Sequence, residues 1–240
     1  MPYLSVLVPI YNEADNLISL INEIRDTLDD KINYELIYVD DGSTDNSWQI
    51  LKSIAQEFNK LRIIRHRSSY GQSIAVLTGV RASQAKWIAT LDGDGQNDPA
   101  DIPNLLALID NTPQVKMVIG IRRARKDNWM KRMASSIANK IRRYLLKDDT
   151  LDTGCGLKLF DRSAFLELPH FNHIHRFLPA LFLRNGYQVI SQEVNHRPRN
   201  KGKSKYGIID RLRAGIIDLL GVMWLQKRSC KAEIIEDINK

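Results

Sequence analysis

KWIATLDGDGQNDP, residues 86–99, runs an apolar, strand-forming stretch directly into three carboxylates, Asp92, Asp94 and Asp98, with glycines among them. The first seven residues have the β-branched and aromatic content of a buried strand, and the Gly/Asp/Asn/Pro cluster behind them ends it. Carboxylates this close repel and raise one another's pKa, so a positive partner belongs beside them. Gly93 and Gly95 let the backbone approach that partner closely.

Upstream, the same pattern recurs. LSVLVPI (4–10), YELIYVD (34–40) and LRIIRH (61–66) are apolar strand candidates. Helical periodicity follows each, through NLISLINEIRDTL, SWQILKSIAQEF and SIAVLTGVRASQ. Strands alternating with helices of this length predict an α/β fold: a mostly parallel central sheet with helices on both faces and a Rossmann-like nucleotide-binding half. Downstream the expectations are a strand near 115–121, a basic helix near 129–146 and a strand in GLKLF (156–160). A helix near 173–184, a strand through YQVISQEV (187–194) and a helix over 208–225 complete them. With no repeat and no low-complexity linker, residues 1–228 form one domain, with a nucleotide-binding half over 1–120 and a basic half over 121–228. Residues 229–240 form a loosely held tail.

In open parallel sheets, ligands sit at the carboxyl ends of the strands. The first strand ends in PIYNE, the second in VDDGSTD and the fourth in LDGDGQNDP, so three polar clusters converge on one edge. Asp and Gly are also ordinary turn formers, which accounts for any one cluster but poorly for all three.

Composition narrows the partners. The 240 residues are 43% hydrophobic and carry a net charge of +7, an ordinary globular balance that favours anionic ligands. Residues 120–147 hold ten Lys/Arg against one acid, and 196–213 hold seven more. The acidic clusters lie in the first hundred residues, which suggests two separate tasks. Cys155 and Cys230 are too few for a disulfide framework, so a reducing cytoplasm is the expected compartment. No leader is expected where Met1-Pro2 runs straight into the first strand.

VPIYNE, VDDGSTD and LDGDGQ, in this order, resemble the inverting family 2 glycosyltransferases of GT-A fold. RMASSIAN (132–139), DTGCGLKLF (152–160) and HRPRNKGKSKY (196–206) extend the likeness to the dolichol- and polyprenyl-phosphate sugar transferases. The resemblance implies a nucleotide-sugar donor such as GDP-mannose or a UDP-hexose, and a polyprenyl-phosphate acceptor. By it, Pro9, Tyr11 and Glu13 line the nucleotide pocket and Asp41 contacts the base. Asp92 and Asp94 form the DxD motif, Asp94 ligating Mg²⁺ or Mn²⁺ directly and Gln96 adding a further ligand. A hard divalent ion does take carboxylate and amide oxygens, with substrate phosphate and water completing its shell. For the acceptor phosphate the resemblance points to Arg122, Arg132 with Ser136, and Arg199, Ser204 and Lys205 in the loop RNKGKSK. Asp152 matches a position near the acceptor. Arg123, Arg142 and Arg143 are taken as a solvated face.

A polyprenyl phosphate is already anionic, so it needs cations to hold it in line and no carboxylate base. Arg suits a bidentate grip on phosphate and Lys acts as a point charge. GKSKYG (202–207) reads as a flap over the donor diphosphate.

Three rivals weigh less. A calcium loop shares the D-x-D-G opening but lacks the closing Glu and follows a strand. A nucleic-acid module explains the +7 charge and leaves the acidic strand ends unexplained. The same fold acting on a sugar hydroxyl, in cell-envelope polysaccharide synthesis, needs a catalytic carboxylate late in the chain.

For the helix over 208–225, Ile208, Leu212, Ile216, Leu219, Leu220 and Met223 fall on one stripe. Its apolar run is too short to span a bilayer. With Trp224 ahead of Lys227 and Arg228 it suits the cytoplasmic face of a membrane. A core helix, a dimer interface or a membrane-protein partner stays open.

Overall fold

The computed structural model describes residues 1–122, 140–198 and 208–228, the last beginning with seven residues known by backbone alone. Seven strands form one sheet: β1 (Leu4–Ile10), β2 (Tyr34–Asp40), β3 (Leu61–Arg65), β4 (Trp87–Thr90), β5 (Val115–Arg122), β6 (Lys158–Asp161) and β7 (Gln188–Val194). Their order is β3-β2-β1-β4-β6-β5-β7. All neighbours pair in parallel except at β6, which runs antiparallel to both β4 and β5.

The central strands are apolar throughout because both faces are covered. Every residue of β1 except Pro9 is buried. One face packs on α1 (Leu17–Leu28), α2 (Ser47–Glu57) and α4 (Ile102–Asp110). The other packs on α3 (Gln72–Ala82), α5 (Arg162–Leu166), α6 (Leu178–Arg184) and the inner side of α7 (Ile208–Gln226). Helix α1 shows why its sequence folds so: Leu17, Leu20, Ile21, Ile24 and Leu28 recur at helical spacing and all are buried.

The strands fall where the apolar runs predict them, within a residue or two. Helix α4 is an addition: it is short and opens on Pro103, a residue suited to a first turn. The helix expected near 173–184 divides into a 3₁₀ turn, Ile174–Arg176, and α6. Of the basic helix expected over 129–146, residues 140–146 are described and are helical.

Two expectations need correction. Arg142 is 7% exposed, pairs with Asp148 at 3.2 Å and donates to the Thr150 carbonyl, so it braces the turn after the helix and belongs to no solvated face. The stripe on α7 also divides. Leu219 and Met223 pack on the core beside fully buried Val222. Ile216 and Leu220 instead join Ile217 and Trp224 on an exposed apolar face, each at least 53% accessible. His173 Nδ1, 2.9 Å from Asp218 Oδ2, and Gln226, donating to the Leu146 carbonyl, pin the helix. Among the described residues no helix is long and apolar enough to cross a membrane.

Candidate active site

The loops after β1 and β2 are knitted together. Asn12, held at φ 55°, accepts from the Thr44 amide at 2.7 Å, while its own amide donates to Ser43 Oγ. The Glu13 amide donates to Ser47 Oγ, and the Glu13 carboxylate accepts from Asn16. Asp40 accepts from the Ser43 amide and Asp45 from the Ser47 amide. Turn chemistry therefore accounts for much of VDDGSTD. It does not account for Asp41, which turns away from its own loop.

Asp41 gathers the segment before α3. Its carboxylate holds the His66 ring at 2.7 Å, Ser69 Oγ at 2.7 Å, and the Tyr70 and Gly71 amides at 3.0 and 2.8 Å. Burial alone would raise its pKa; the bonds from His66, Tyr70, Ser69 and Gly71 outweigh it and hold the carboxyl below its usual range.

The acidic stretch lies at the end of β4. The Asp92 amide donates to Asn97 Oδ1 at 3.1 Å, and the Asp94 carboxylate accepts from the Gln96 amide at 3.1 Å. Gln72 Nε2, at the first turn of α3, donates to Asp92 Oδ1 at 2.8 Å. The other oxygen, Oδ2, lies over Gly156, where a Cβ would stand 2.2 Å from it. Gly93 is also a close-approach glycine, since a Cβ there would stand 2.6 Å from Ile10. Gly95 instead has open space and a φ of +70°, so it is there for the turn. Residues after β7 fasten onto this stretch: Gln96 pairs with Arg197 through backbone and side chain, Arg197 reaches Asp98 at 2.8 Å, and the Asn195 amide donates to Asp101.

Asp152 grips Arg122. Its two oxygens accept from Nε at 2.6 Å and from Nη2 at 2.8 Å, and both side chains are nearly buried. Burial pulls the Arg122 pKa down, the Asp152 pair pulls it up, and the pair prevails. The segment 152–156 thus touches Arg122 at one end and Asp92 at the other. Beneath it, Gln72, Thr90, Asp92, Lys158 and His175 line a cavity of ≈ 20 Å³, room for about one water. Lys158 is 5% exposed and donates to the Cys155 carbonyl. Burial lowers its pKa against the opposing fields of Cys155, Asp92 and Asp152. His175 bonds Ser73 Oγ at 2.7 Å, and burial holds it well below its ordinary pKa.

Pro9, Asp92 and Gln72 thus share one cleft, with Arg122 one short loop away. Arg132, Ser136, Arg199, Ser204, Lys205, Arg123, Cys230 and the tail 229–240 lie outside the described residues. Gln72, Asn97, Gly156, Lys158 and His175 escape sequence reasoning. Only Gln72 leaves a trace, as a polar residue opening a helix next to a loop glycine.

The donor set suits a hard divalent ion in part. Asp92, Asp94 and Gln96 offer two carboxylates and an amide oxygen close in sequence. Among the described residues no three His, Cys, Asp or Glu side chains converge on one point. The protein would therefore supply part of a shell that phosphate oxygens and water complete.

Comparison with known proteins bears on the whole arrangement. The chain is 33% identical over 232 residues to dodecaprenyl-phosphate galacturonate synthase of Rhizobium johnstonii, covering 93% of this chain and 67% of that protein. It is also 33% identical to undecaprenyl-phosphate 4-deoxy-4-formamido-L-arabinose transferase of Edwardsiella ictaluri, covering 86% and 64% respectively. The chain thus spans about two thirds of the length of these curated relatives. Its fold is similar to that of glucosyl-3-phosphoglycerate synthase from Mycobacterium tuberculosis, solved with Mn²⁺ and UDP: TM-score 0.69, 16% identity, 94% of this chain and 80% of that one. Residues 5–168, from the first strand through DTGCGLKLF, match the profile of Glycosyl transferase family 2, and the chain belongs to that family.

Proposed function

We propose that the protein transfers a sugar, with inversion, from a nucleoside-diphosphate donor to a polyprenyl phosphate at a membrane surface. One observation carries this reading: an acidic strand end and a fixed arginine stand one short loop apart, and among the described residues the carboxylate of that loop, Asp152, is already engaged by the arginine. Asp152, a late-chain carboxylate beside Arg122, is held by its guanidinium on both oxygens. That supports a phosphate acceptor over a sugar hydroxyl, which would need a base. The names of the curated relatives support the same acceptor class.

In the proposed reaction a phosphate oxygen of the acceptor forms a bond to the anomeric carbon. The bond from that carbon to the donor diphosphate breaks, and the nucleoside diphosphate leaves with the electron pair. No proton need move. Pro9 near the end of β1, and Tyr11 and Glu13 on the loop fixed by Asn12 and Ser47, line the nucleotide end, with the 66–71 segment that Asp41 clamps toward the base. Asp92, Asp94 and Gln96 would hold Mg²⁺ or Mn²⁺, which neutralises charge gathering on the leaving diphosphate. Arg122, oriented by Asp152, presents a positioned cation to the acceptor phosphate, and Arg132, Ser136, Arg199, Ser204 and Lys205 are assigned to the same anion. The exposed apolar face of α7, with Lys227 and Arg228 also exposed at its end, supports seating on an anionic membrane.

The test is a transfer assay read by mass spectrometry, with UDP- and GDP-linked sugars including a uronic acid and an amino-pentose. A short polyprenyl phosphate serves as acceptor, with Mn²⁺ or Mg²⁺ and with chelator. A metal-dependent glycosyl-phosphoryl-polyprenol supports the reading and names the sugar. Product only on a hydroxyl acceptor overturns it.

A further inference from the structure

Asp92 is held by a side chain that no motif of the chain includes. Gln72 opens α3, and its amide nitrogen donates to Asp92 Oδ1 at 2.8 Å. The position of Gln72 is itself dictated. The Tyr70 and Gly71 amides just before it donate to Asp41, at 3.0 and 2.8 Å, and Gly71 takes φ 93°, a conformation open to glycine. A chain of bonds therefore runs from Asp41 at the end of β2, through the backbone of residues 70–71, to the Gln72 amide and on to Asp92 at the end of β4. On its far side the Asp92 carboxylate meets Gly156, which leaves no room for a side chain. Gln72 on one oxygen and the Gly156 backbone under the other fix how the carboxylate faces the cleft.

The chemistry of the amide matters. A carboxamide fixes a carboxylate by hydrogen bonding without cancelling its charge. A lysine at this position would also reach Asp92 but would compete with a bound cation, and a glutamate would add repulsion to a segment that already holds Asp92, Asp94 and Asp98. A neutral donor is the one choice that both orients the carboxylate and leaves its charge for a metal.

We propose that Gln72 is a positioning residue: it orients Asp92 for the divalent ion and couples the Asp41 loop at the nucleotide end to the acidic loop at the metal end. The proposal rests on the nucleotide-sugar reading above. Partners that orient metal ligands from outside the coordination shell typically change metal affinity by about 10–100-fold when removed.

The experiment measures Mn²⁺ binding by the electron paramagnetic resonance of free Mn²⁺, with UDP or GDP present, whichever the wild-type protein binds. Metal-free nucleotide binding and the thermal midpoint are recorded alongside. Gln72 is exposed on the first turn of α3, so its variants should fold. Gln72→Leu is expected to weaken Mn²⁺ by about tenfold while metal-free nucleotide affinity and the thermal midpoint stay at wild-type values. Gln72→Lys is expected to weaken Mn²⁺ at least as much, yet to tighten nucleotide binding without metal. Mn²⁺ affinity within twofold of wild type in Gln72→Leu overturns the proposal and leaves the proposed function standing. Equal losses of metal binding, metal-free nucleotide binding and thermal midpoint overturn it too, because they assign Gln72 a purely structural role. A wild-type protein that binds neither nucleotide nor Mn²⁺ removes the underlying reading, and this proposal with it.

Discussion

Replacing Asp152 with asparagine separates the two acceptor chemistries. The side chain keeps its size but loses its charge and one of the two oxygens that grip Arg122 at 2.6 and 2.8 Å. Both partners are close to buried, with side-chain accessibilities of 13% and 12%, so solvent screens the pair little. Removing one member of a buried pair leaves the other charge uncompensated, at a cost of about 3–5 kcal/mol. The retained amide oxygen places Asp152→Asn near the lower end. For a chain of this length, about 3 kcal/mol lowers the thermal midpoint by roughly 6–12 °C. Urea unfolding measures the loss, and Arg122→Met in a double-mutant cycle isolates the pair, with an expected coupling of about 1–3 kcal/mol. In transfer assays with a short polyprenyl phosphate the variant should raise the acceptor KM and leave the donor KM near wild type, because Arg122 loses its aim. A collapse in kcat at unchanged acceptor KM, with the acidic limb of the pH profile abolished, would make Asp152 a general base. That result refutes the positioning argument and moves the acceptor to a hydroxyl.

Asp94→Asn should abolish lipid transfer and its response to Mn²⁺, measured by product mass; full transfer by this variant contradicts the metal assignment. Gly156→Ala must displace the Asp92 carboxylate, since the new methyl would stand 2.2 Å from Oδ2; a stability loss of about 1–3 kcal/mol and weaker Mn²⁺ binding are expected, by calorimetry. Asp41 has a lowered folded pKa, so its stabilisation is complete above its unfolded pKa of about 3.9 and disappears as pH falls through the lower folded value. Asp41→Asn should therefore flatten the acid arm of a stability–pH curve recorded between about pH 5 and 2, and an unchanged acid arm counts against the clamp. Leu220→Glu, on the exposed face of α7, should abolish co-sedimentation with anionic vesicles and leave nucleotide binding intact; undiminished sedimentation removes the membrane role of that face.

Where sequence and structure part, the reasons are physical. A central strand buried on both faces reads as an apolar run whatever its neighbours are, so LSVLVPI and YELIYVD announce themselves. Direction is not written in a strand's sequence: GLKLF reads the same as a parallel or an antiparallel strand, and only the structure shows that β6 is reversed. Periodicity places Ile216, Leu219, Leu220 and Met223 on one stripe of α7, but it cannot say which half of a broad stripe meets the core. Charge misleads at Arg142, because Asp148 and Thr150, six and eight residues on, form a pocket for its guanidinium that composition does not reveal. Asp92 is legible as an isolated carboxylate in a cluster. Its partners are not, since Gln72 and Gly156 come from segments twenty and sixty-four residues away.

The reversed strand also explains how the acidic and basic halves meet. In a parallel strand, the residues that follow it emerge at the carboxyl edge, where the loops after β1, β2 and β4 lie. Because β6 is antiparallel and pairs Lys158 with Thr90, the residues that precede it, Asp152 to Leu157, emerge there instead. Its place between β4 and β5 sets that loop between the end of β4, which carries Asp92, and the end of β5, which carries Arg122. One end of the loop supplies Asp152 to Arg122, and the other supplies Gly156 to Asp92. Lys158, the first residue of β6, lies beneath with opposing fields from Asp92 and Asp152. Asp92 and Asp152 and the cations Arg122 and Lys158 are thus brought to one short segment, with Asp94 on the adjoining turn adding a further carboxylate to the acidic end. A divalent ion held by Asp92 and Asp94 would keep open positions in its shell, and a diphosphate offers the hard oxygens that fill them.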